Sequence, residues 1–298
     1  MSIARAAPPE IETAAFGAVA VEQRCCPLCG RDNGDQPNSR YSQGGWAVKD
    51  CADCGFVYID SAPVYAAQSV QMAWERTTKI EETRRAELRP LSYKLSKRLR
   101  FRMRLLPRRT LARELTGRIA GGNVLDLGCG DGGALHGLSA LFRPFGIDIS
   151  QQLAGAADRL FRARGGYAVH APSLDGLATF RDGSFAAVTL RSYLEHERQP
   201  LPVLREVARV LAPGGIAIVK VPNYGSLNRR VMGRKWCGFR YPDHLNYFTP
   251  ATLRRMAAEA GLDTRFGVGG RLPTGDNMWA ALSKRPPGGA RPLRAHLA

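Results

Sequence analysis

The chain has 298 residues, 44% of them hydrophobic and 8% aromatic, with 43 basic and 26 acidic side chains giving a formal net charge of +17. This length suits one large domain with a small accessory, and the composition excludes a disordered or fibrous protein. No run approaches the roughly 20 apolar residues of a membrane-spanning helix.

The charge is uneven: residues 1–75 carry −4, residues 76–118 carry +11 and residues 119–298 carry +10. Such a surplus attracts anions, whether a phosphate- or carboxylate-bearing substrate, nucleic acid or anionic lipid, and an arginine-rich genome produces it too.

Residues 1–23 are rich in Ala, Pro and Glu without a helical or strand period, so they read as a disordered start. Glu10, Glu12 and Glu22 stand where a secretory signal carries basic charge, which makes a cytoplasmic location the default expectation.

Cys26-Pro-Leu-Cys29-Gly30 and Cys51-Ala-Asp-Cys54-Gly55 follow, with 21 residues between the pairs. Two intervening residues put both sulfurs on one side of a tight knuckle. Two knuckles complete a four-cysteine set for structural zinc, with no position left open for water. Trp46–Val48 and Phe56–Ile59 alternate like short strands, so residues 24–62 read as a zinc ribbon that depends on its metal for folding energy. Cys129 and Cys237 lie away from this cluster.

Residues 63–119 read as a basic helical connector. Leu88, Leu91, Leu95, Leu99, Met103 and Leu106 recur at helical steps, and Lys94, Lys97, Arg98, Arg100, Arg102 and Arg104 crowd the other faces. A leucine stripe packed on the following domain is the expected role, with nucleic acid or a membrane surface as the alternative.

The apolar run Val124-Leu125-Asp126-Leu127 ends in Gly128-Cys129-Gly130-Asp131-Gly132-Gly133, a helix-like segment Ala134–Phe142 follows, and Gly146-Ile147-Asp148-Ile149 closes the unit. Glycines let the backbone turn sharply and approach a ligand, and an acid at the tip of the second strand suits ribose hydroxyls. The spacing Gly128-x-Gly130-x-Gly132 differs from GxGxxG, and Asp126 repels a pyrophosphate. A nucleoside carrying an amino group fits better.

Helices at Gln151–Arg164, Leu201–Leu211 and Ala251–Ala260 alternate with strands at Tyr167–His170, Ala186–Leu190 and Ile216–Val221. Glu195-His196 reads as another helix start, and Leu262–Val268 with Asn277–Ser283 as a final antiparallel pair. The expected fold over residues 120–283 is α/β, a Rossmann-like, mostly parallel sheet with its last strand antiparallel and its ligand at the strands' carboxyl ends. Residues 284–298 read as a mobile tail. The 28 residues 223–250 form a long, aromatic connection, too long to be idle and too aromatic for disorder.

Asp126-Leu-Gly-Cys-Gly-Asp-Gly-Gly133 resembles the first motif of class I S-adenosylmethionine-dependent methyltransferases. The likeness continues through Asp182-Gly-Ser-Phe185, Tyr193-Leu-Glu-His196 and Leu211-Ala-Pro-Gly-Gly215, with Ala186 where that family usually has aspartate. His244-Leu-Asn-Tyr-Phe248 is similar to the corresponding loop of the ubiquinone-biosynthesis-like group. The resemblance implies S-adenosylmethionine held by Asp126, Gly128, Cys129, Gly130, Asp148, Ile149 and Leu190, with Asp175 near the adenine. The ribbon joined to this domain resembles the N-terminal end of sugar C-methyltransferases, which have a further C-terminal domain.

Methyl transfer to an oxygen or acidic carbon needs a proton acceptor, and His244, Tyr193 and His196 are candidates, His244 first because its loop is expected over the acceptor. Trp236, Tyr241, Tyr247 and Phe248 suit a planar acceptor or simply pack. The expected acceptor is a small molecule such as a secondary metabolite, sugar or quinone-like compound. A ribosomal or transfer RNA methyltransferase and a non-catalytic binding protein on the same scaffold are the alternatives. Leu190-Arg-Ser-Tyr193 stands where amino-modifying nucleic-acid enzymes carry Asn-Pro-Pro-Tyr.

Overall fold

The computed structural model describes residues 9–13, 17–70, 111–267 and 275–284. The leucine stripe of the basic connector and the tail beyond residue 284 lie outside the described residues. Among the described residues no helix is long and apolar enough to cross a membrane.

The first strands correct the expectation of a disordered start. β1 (Glu10–Thr13) pairs antiparallel with β2 (Gly17–Gln23), in which Val19 and Val21 are buried, Ala20 between them is half-buried, and Ala18 and Glu22 are exposed. Two valines one residue apart supply the period of a half-buried strand, and the surrounding alanines hid it. The ribbon contributes β3 (Val48–Asp50), β4 (Val57–Ile59) and β5 (Ser61–Pro63), the last paired with β2. α1 (Tyr65–Val70) follows, and α2 (Leu111–Thr116) leads into the main sheet.

That sheet begins with β6 (Gly122–Leu127), α3 (Gly133–His136), β7 (Phe142–Asp148), α4 (Gln151–Arg162), β8 (Tyr167–His170) and α5 (Ser173–Ala178). The chain continues through β9 (Phe185–Arg191), α6 (Pro200–Val210), β10 (Leu211–Pro222), α7 (Leu227–Met232), β11 (Asn246–Tyr247), which lies outside the main sheet, α8 (Pro250–Glu259), β12 (Leu262–Phe266) and β13 (Asn277–Lys284) of the main sheet. The main sheet's seven strands run in the order β12-β13-β10-β9-β6-β7-β8, with β13 antiparallel to both neighbours. This is the expected α/β Rossmann-like sheet, mostly parallel with its last strand reversed. Helices cover both faces: Val203, Leu204, Val207, Leu253 and Met256 fill one core, Leu115, Leu135, Ala157 and Phe161 the other.

Local chemistry sets the helix boundaries. Ser150 caps α4 by accepting from Leu153 N at 3.3 Å, and Thr249 with Thr252 forms a capping box at α8, where Pro250 opens the helix. Two expected helices differ. The segment after the glycine turn leaves helix at His136, where Gly137 follows, and Phe142 already belongs to β7, in register with Gly122. Glu195-His196 lies in a turn, and the helix starts four residues later at Pro200, whose fixed φ suits the first helical position.

The ribbon is fastened to the main domain. β11, from the long connection after β10, pairs with β4, giving a sheet ordered β11-β4-β3. Tyr41, Trp46, Val48 and Ile59 share one core with Tyr224, Trp236, Phe239 and Tyr247 of that connection. Phe56 meets Phe248 edge-on at 5.1 Å, placing the second knuckle against the helix layer.

Candidate functional site

The glycine turn sits where β6 ends. Gly128 and Gly130 both have positive φ, 68° and 54°. A Cβ on Gly128 would lie 2.9 Å from the Tyr193 ring, whereas one on Gly130 would meet nothing within 4 Å. The first glycine thus makes room for a side chain and the second borders open space. Cys129 is buried, and its sulfur occupies the room left by Gly146, where a Cβ would come within 2.5 Å.

Two carboxylates flank the turn. Asp148 accepts from Gly130 N and Ser150 N, both at 2.8 Å. A carboxylate offers about four lone-pair sites, so it can brace the turn and accept from a ligand as well. Asp126 is 3% exposed and accepts from the Thr189 hydroxyl. Burial lifts its carboxyl to about 7 against the lowering effect of that bond. A ligand carrying positive charge beside Asp126 offsets this desolvation, and the open cradle with two acids suits the ammonium, sulfonium and ribose of S-adenosylmethionine.

The remaining expected cofactor residues divide. Ile149 follows Asp148, and its carbonyl is 3.1 Å from His170 Nε2. Asp175 is exposed on the first turn of α5. Leu190 is fully buried in the sheet core, which leaves its backbone rather than its side chain to border a ligand.

Tyr193 is held as a hydrogen-bond donor. Its hydroxyl contacts Ser173 and Glu197, and burial together with the Glu197 charge raises the phenol well above its ordinary value. A phenol so raised keeps its proton at neutral pH, which weighs against the expected role of base. Glu197, a buried carboxylate that sequence reasoning did not single out, also accepts from the Tyr65 hydroxyl and from Gln199 N, each at 2.9 Å. One carboxylate therefore connects the glycine turn, through Tyr193, to the segment after the ribbon.

His244 is 5% exposed, its Nδ1 2.8 Å from Gly238 O, and burial with the neighbouring His196 charge lowers it to about 3. The two imidazoles meet edge-on with centroids 4.7 Å apart, and Glu195 brings a carboxylate oxygen within 4.8 Å of both. His196 is the more accessible ring. Its Nδ1 faces Asp243 Oδ1 at 3.0 Å and Asp243 O at 2.8 Å, and Arg240 completes the cluster at 2.7 Å from Asp243 Oδ2. Burial lowers His196, but Asp243 outweighs it and lifts the imidazole to about 9. The Asp243-His244 dipeptide held this signal in sequence, but the pairing of Asp243 with a residue 47 positions away did not show.

The long connection is tied to this turn. Leu245 N donates to Glu195 O at 2.7 Å, and Asn246 Nδ2 donates to Leu194 O at 2.8 Å and Glu197 O at 2.6 Å. Trp236 is buried, with its indole donating to Asp276 Oδ1 at 2.8 Å. Tyr247 and Phe248 are core residues, so these three aromatics pack in the core rather than present faces to a ligand.

The four knuckle sulfurs lie within 4.8 Å of one another, with Cys26–Cys54 at 3.4 Å and Cys29–Cys51 at 3.5 Å. Tetrahedral zinc with bonds of about 2.3 Å needs sulfurs about 3.8 Å apart, which this set fits. Burial opposes ionisation at Cys51, yet backbone hydrogen bonds from Cys54 and Asp53 outweigh it and bring the thiol to about 6.

A family model described as a methyltransferase domain matches residues 98–265. The ubiquinone biosynthesis O-methyltransferase of Thiobacillus denitrificans is 34% identical over 162 residues, covering 49% of this chain and 66% of that protein. The protein of that name from Xanthomonas axonopodis pv. citri is 31% identical over 175 residues, 56% of this chain and 72% of the relative. A solved S-adenosylmethionine-dependent methyltransferase from Archaeoglobus fulgidus is 16% identical, covers 63% of this chain and 94% of its own, and superposes with a TM-score of 0.46. The chain thus spans just under two thirds of the first relative's length, and the ribbon lies outside the family match.

Proposed function

Because the chain belongs to the methyltransferase-domain family, we propose that it transfers a methyl group from S-adenosylmethionine to a small-molecule hydroxyl, on a quinone-like or other phenolic acceptor. The observation that carries this reading is the open space at Gly130, with Asp148 bracing the turn and Asp126 buried at the end of β6.

In this reading Asp148 holds the ribose hydroxyls, Asp126 faces the cationic part of the cofactor, and the turn at Gly128 and Gly130 admits its close approach. The bound cofactor supplies an activated methyl group, and the protein's task is to align the acceptor and take its proton. Asp243 fixes the Nδ1–H of His196, which leaves Nε2 to accept the acceptor's proton. His244 stays neutral and buttresses that ring. Cys26, Cys29, Cys51 and Cys54 hold zinc as a structural ion.

The test is methyl transfer from radiolabelled S-adenosylmethionine to a panel of catechols and hydroquinones, with the matching methyl ethers as controls. Transfer confined to free hydroxyls supports the reading. Cofactor binding with no transfer to any phenol, but transfer to amines or RNA, would replace it.

A further inference from the structure

A cavity of about 690 Å³ lies where the first cysteine knuckle overhangs α6 and α8. Four arginines, Arg24, Arg198, Arg205 and Arg255, contribute to its lining, and among the described lining residues Glu259 is the one acid. The guanidiniums are not equivalent. Arg24 is committed to the scaffold, donating to Ile59 O, Arg198 O and Asn246 Oδ1 at 2.9–3.1 Å. Arg198 is ion-paired with Glu22 and lies over the Tyr65 ring. Arg205 and Arg255 are exposed, and neither is ion-paired or hydrogen-bonded among the described residues.

Part of this charge answers the ribbon, since a zinc ion with four thiolates keeps two negative charges and Cys26 and Cys29 share the cavity wall. Arg24 and Arg198 lie on that side. Arg205 and Arg255 belong to α6 and α8 on the other wall, and among the described residues no ion pair joins either of them to Glu259, the acid that shares the cavity. The start of α6 adds little by itself, because Pro200 and Pro202 lack amide protons and Val203 N is bonded to Gln199 O at 3.1 Å. An anion here is held by guanidiniums, whose fork geometry matches phosphate oxygens.

We infer that this cavity binds the phosphate group of a small molecule, at a site separate from the glycine turn. Its volume lies in the range of ordinary ligand pockets, so the phosphate can belong to a nucleotide-sized metabolite or be the free anion. The inference does not depend on the methyl-transfer reading.

The zinc-loaded full chain, with S-adenosylhomocysteine present to occupy the adenosine site, is titrated calorimetrically with uridine diphosphate, uridine and inorganic phosphate. Uridine diphosphate should bind and uridine should not, and the R205A/R255A double variant should weaken binding at least about tenfold, as expected for lost charge-assisted contacts. Arg254→Ala, a neighbour that lies over Phe266 instead, should change nothing. Inorganic phosphate binding with the same sensitivity supports the site and identifies the free anion as sufficient. The inference is overturned if uridine binds as tightly as its diphosphate, if Asp148→Ala rather than R205A/R255A removes binding, or if the double variant loses zinc while its phosphate affinity is unchanged. Salt-sensitive RNA binding through these arginines with no small-phosphate binding also overturns it.

Discussion

Arg24 donates through Nη2 to Asn246 Oδ1 at 3.0 Å, joining the strand that enters the ribbon to the strand that closes the long connection, 222 residues away. Asn246 is buried and spends its amide protons on Leu194 O and Glu197 O, so one side chain holds ribbon, connection and β9 turn together. Arg24 is lowered by burial to about 10 and remains charged, which makes this acceptor costly to remove.

Replacing Asn246 with alanine should therefore destabilise the protein by roughly 2–5 kcal/mol, since it takes the side-chain donor from Glu197 O, leaves Leu194 O with only the long bond from Glu197 N at 3.4 Å, and strips part of a buried guanidinium of its acceptor. Urea unfolding of the variant and the parent measures this. A change below about 0.5 kcal/mol would show that water satisfies these groups.

Stripping zinc with a chelator, or Cys51→Ser, should loosen the ribbon and with it residues 223–248, because β4 pairs with β11 and Trp46 and Trp236 share a core. S-adenosylhomocysteine affinity should stay within about threefold, as the glycine turn has its own supports on β6 and β7. Tryptophan fluorescence and calorimetry on the same samples separate the two effects.

Asp148→Ala should weaken cofactor binding by at least about 150-fold, the loss of two charge-assisted hydrogen bonds, and should lower the melting temperature as well, because Gly130 N and Ser150 N lose their acceptor. Unaltered affinity would mean that the nucleoside lies elsewhere.

Asp126 provides a pH test. Its carboxyl rises from 3.8 to about 7 on burial, so the native state keeps a proton that the unfolded chain has released. That contribution to stability is complete below about pH 4 and disappears as pH rises through 7. A cationic ligand favours the ionised form, so S-adenosylmethionine affinity should increase with pH up to and past 7, with proton release on binding. Calorimetry in buffers of different ionisation enthalpy detects the proton.

His196, lifted to about 9 by Asp243, must lose its proton before it can accept one. Methyl transfer should accordingly rise with pH towards about 9. In Asp243→Asn the rising limb should move down by about two units, towards the ordinary imidazole value or lower. Profiles of kcat for the two proteins, measured with saturating acceptor, decide whether His196 titrates in the rate.

The readable parts of this molecule are those whose chemistry is local. Gly128, Gly130 and Asp148 lie within 21 positions and form one strand-turn-strand unit, and each cysteine pair is a self-contained knuckle. The alternation of helix and strand gave the parallel sheet for the same reason. What escaped is long-range: Asn246 against Tyr58, Asp243 against His196, and Glu197 between Tyr65 and Tyr193. None of these carries a periodic signal, because each depends on how the connection or the segment after the ribbon folds back on the turn after β9. His244 drew attention as a histidine in an aromatic loop and is buried there, while the more accessible His196 lies in the turn after β9.

The pairing of β4 with β11 also has a consequence for biosynthesis. The ribbon's second knuckle leaves the ribosome early, but the strand that completes its sheet is Asn246–Tyr247, roughly 190 residues later, about 10–40 s at ordinary elongation rates. In that interval Val57 and Ile59 have one strand edge without its partner, and the aromatic cover from Trp236 and Phe239 has not yet been made. Zinc captured by the nascent knuckles would hold this half-built sheet in shape until the remainder arrives, so metal supply during translation, more than metal affinity of the finished protein, should govern how much of the chain escapes aggregation.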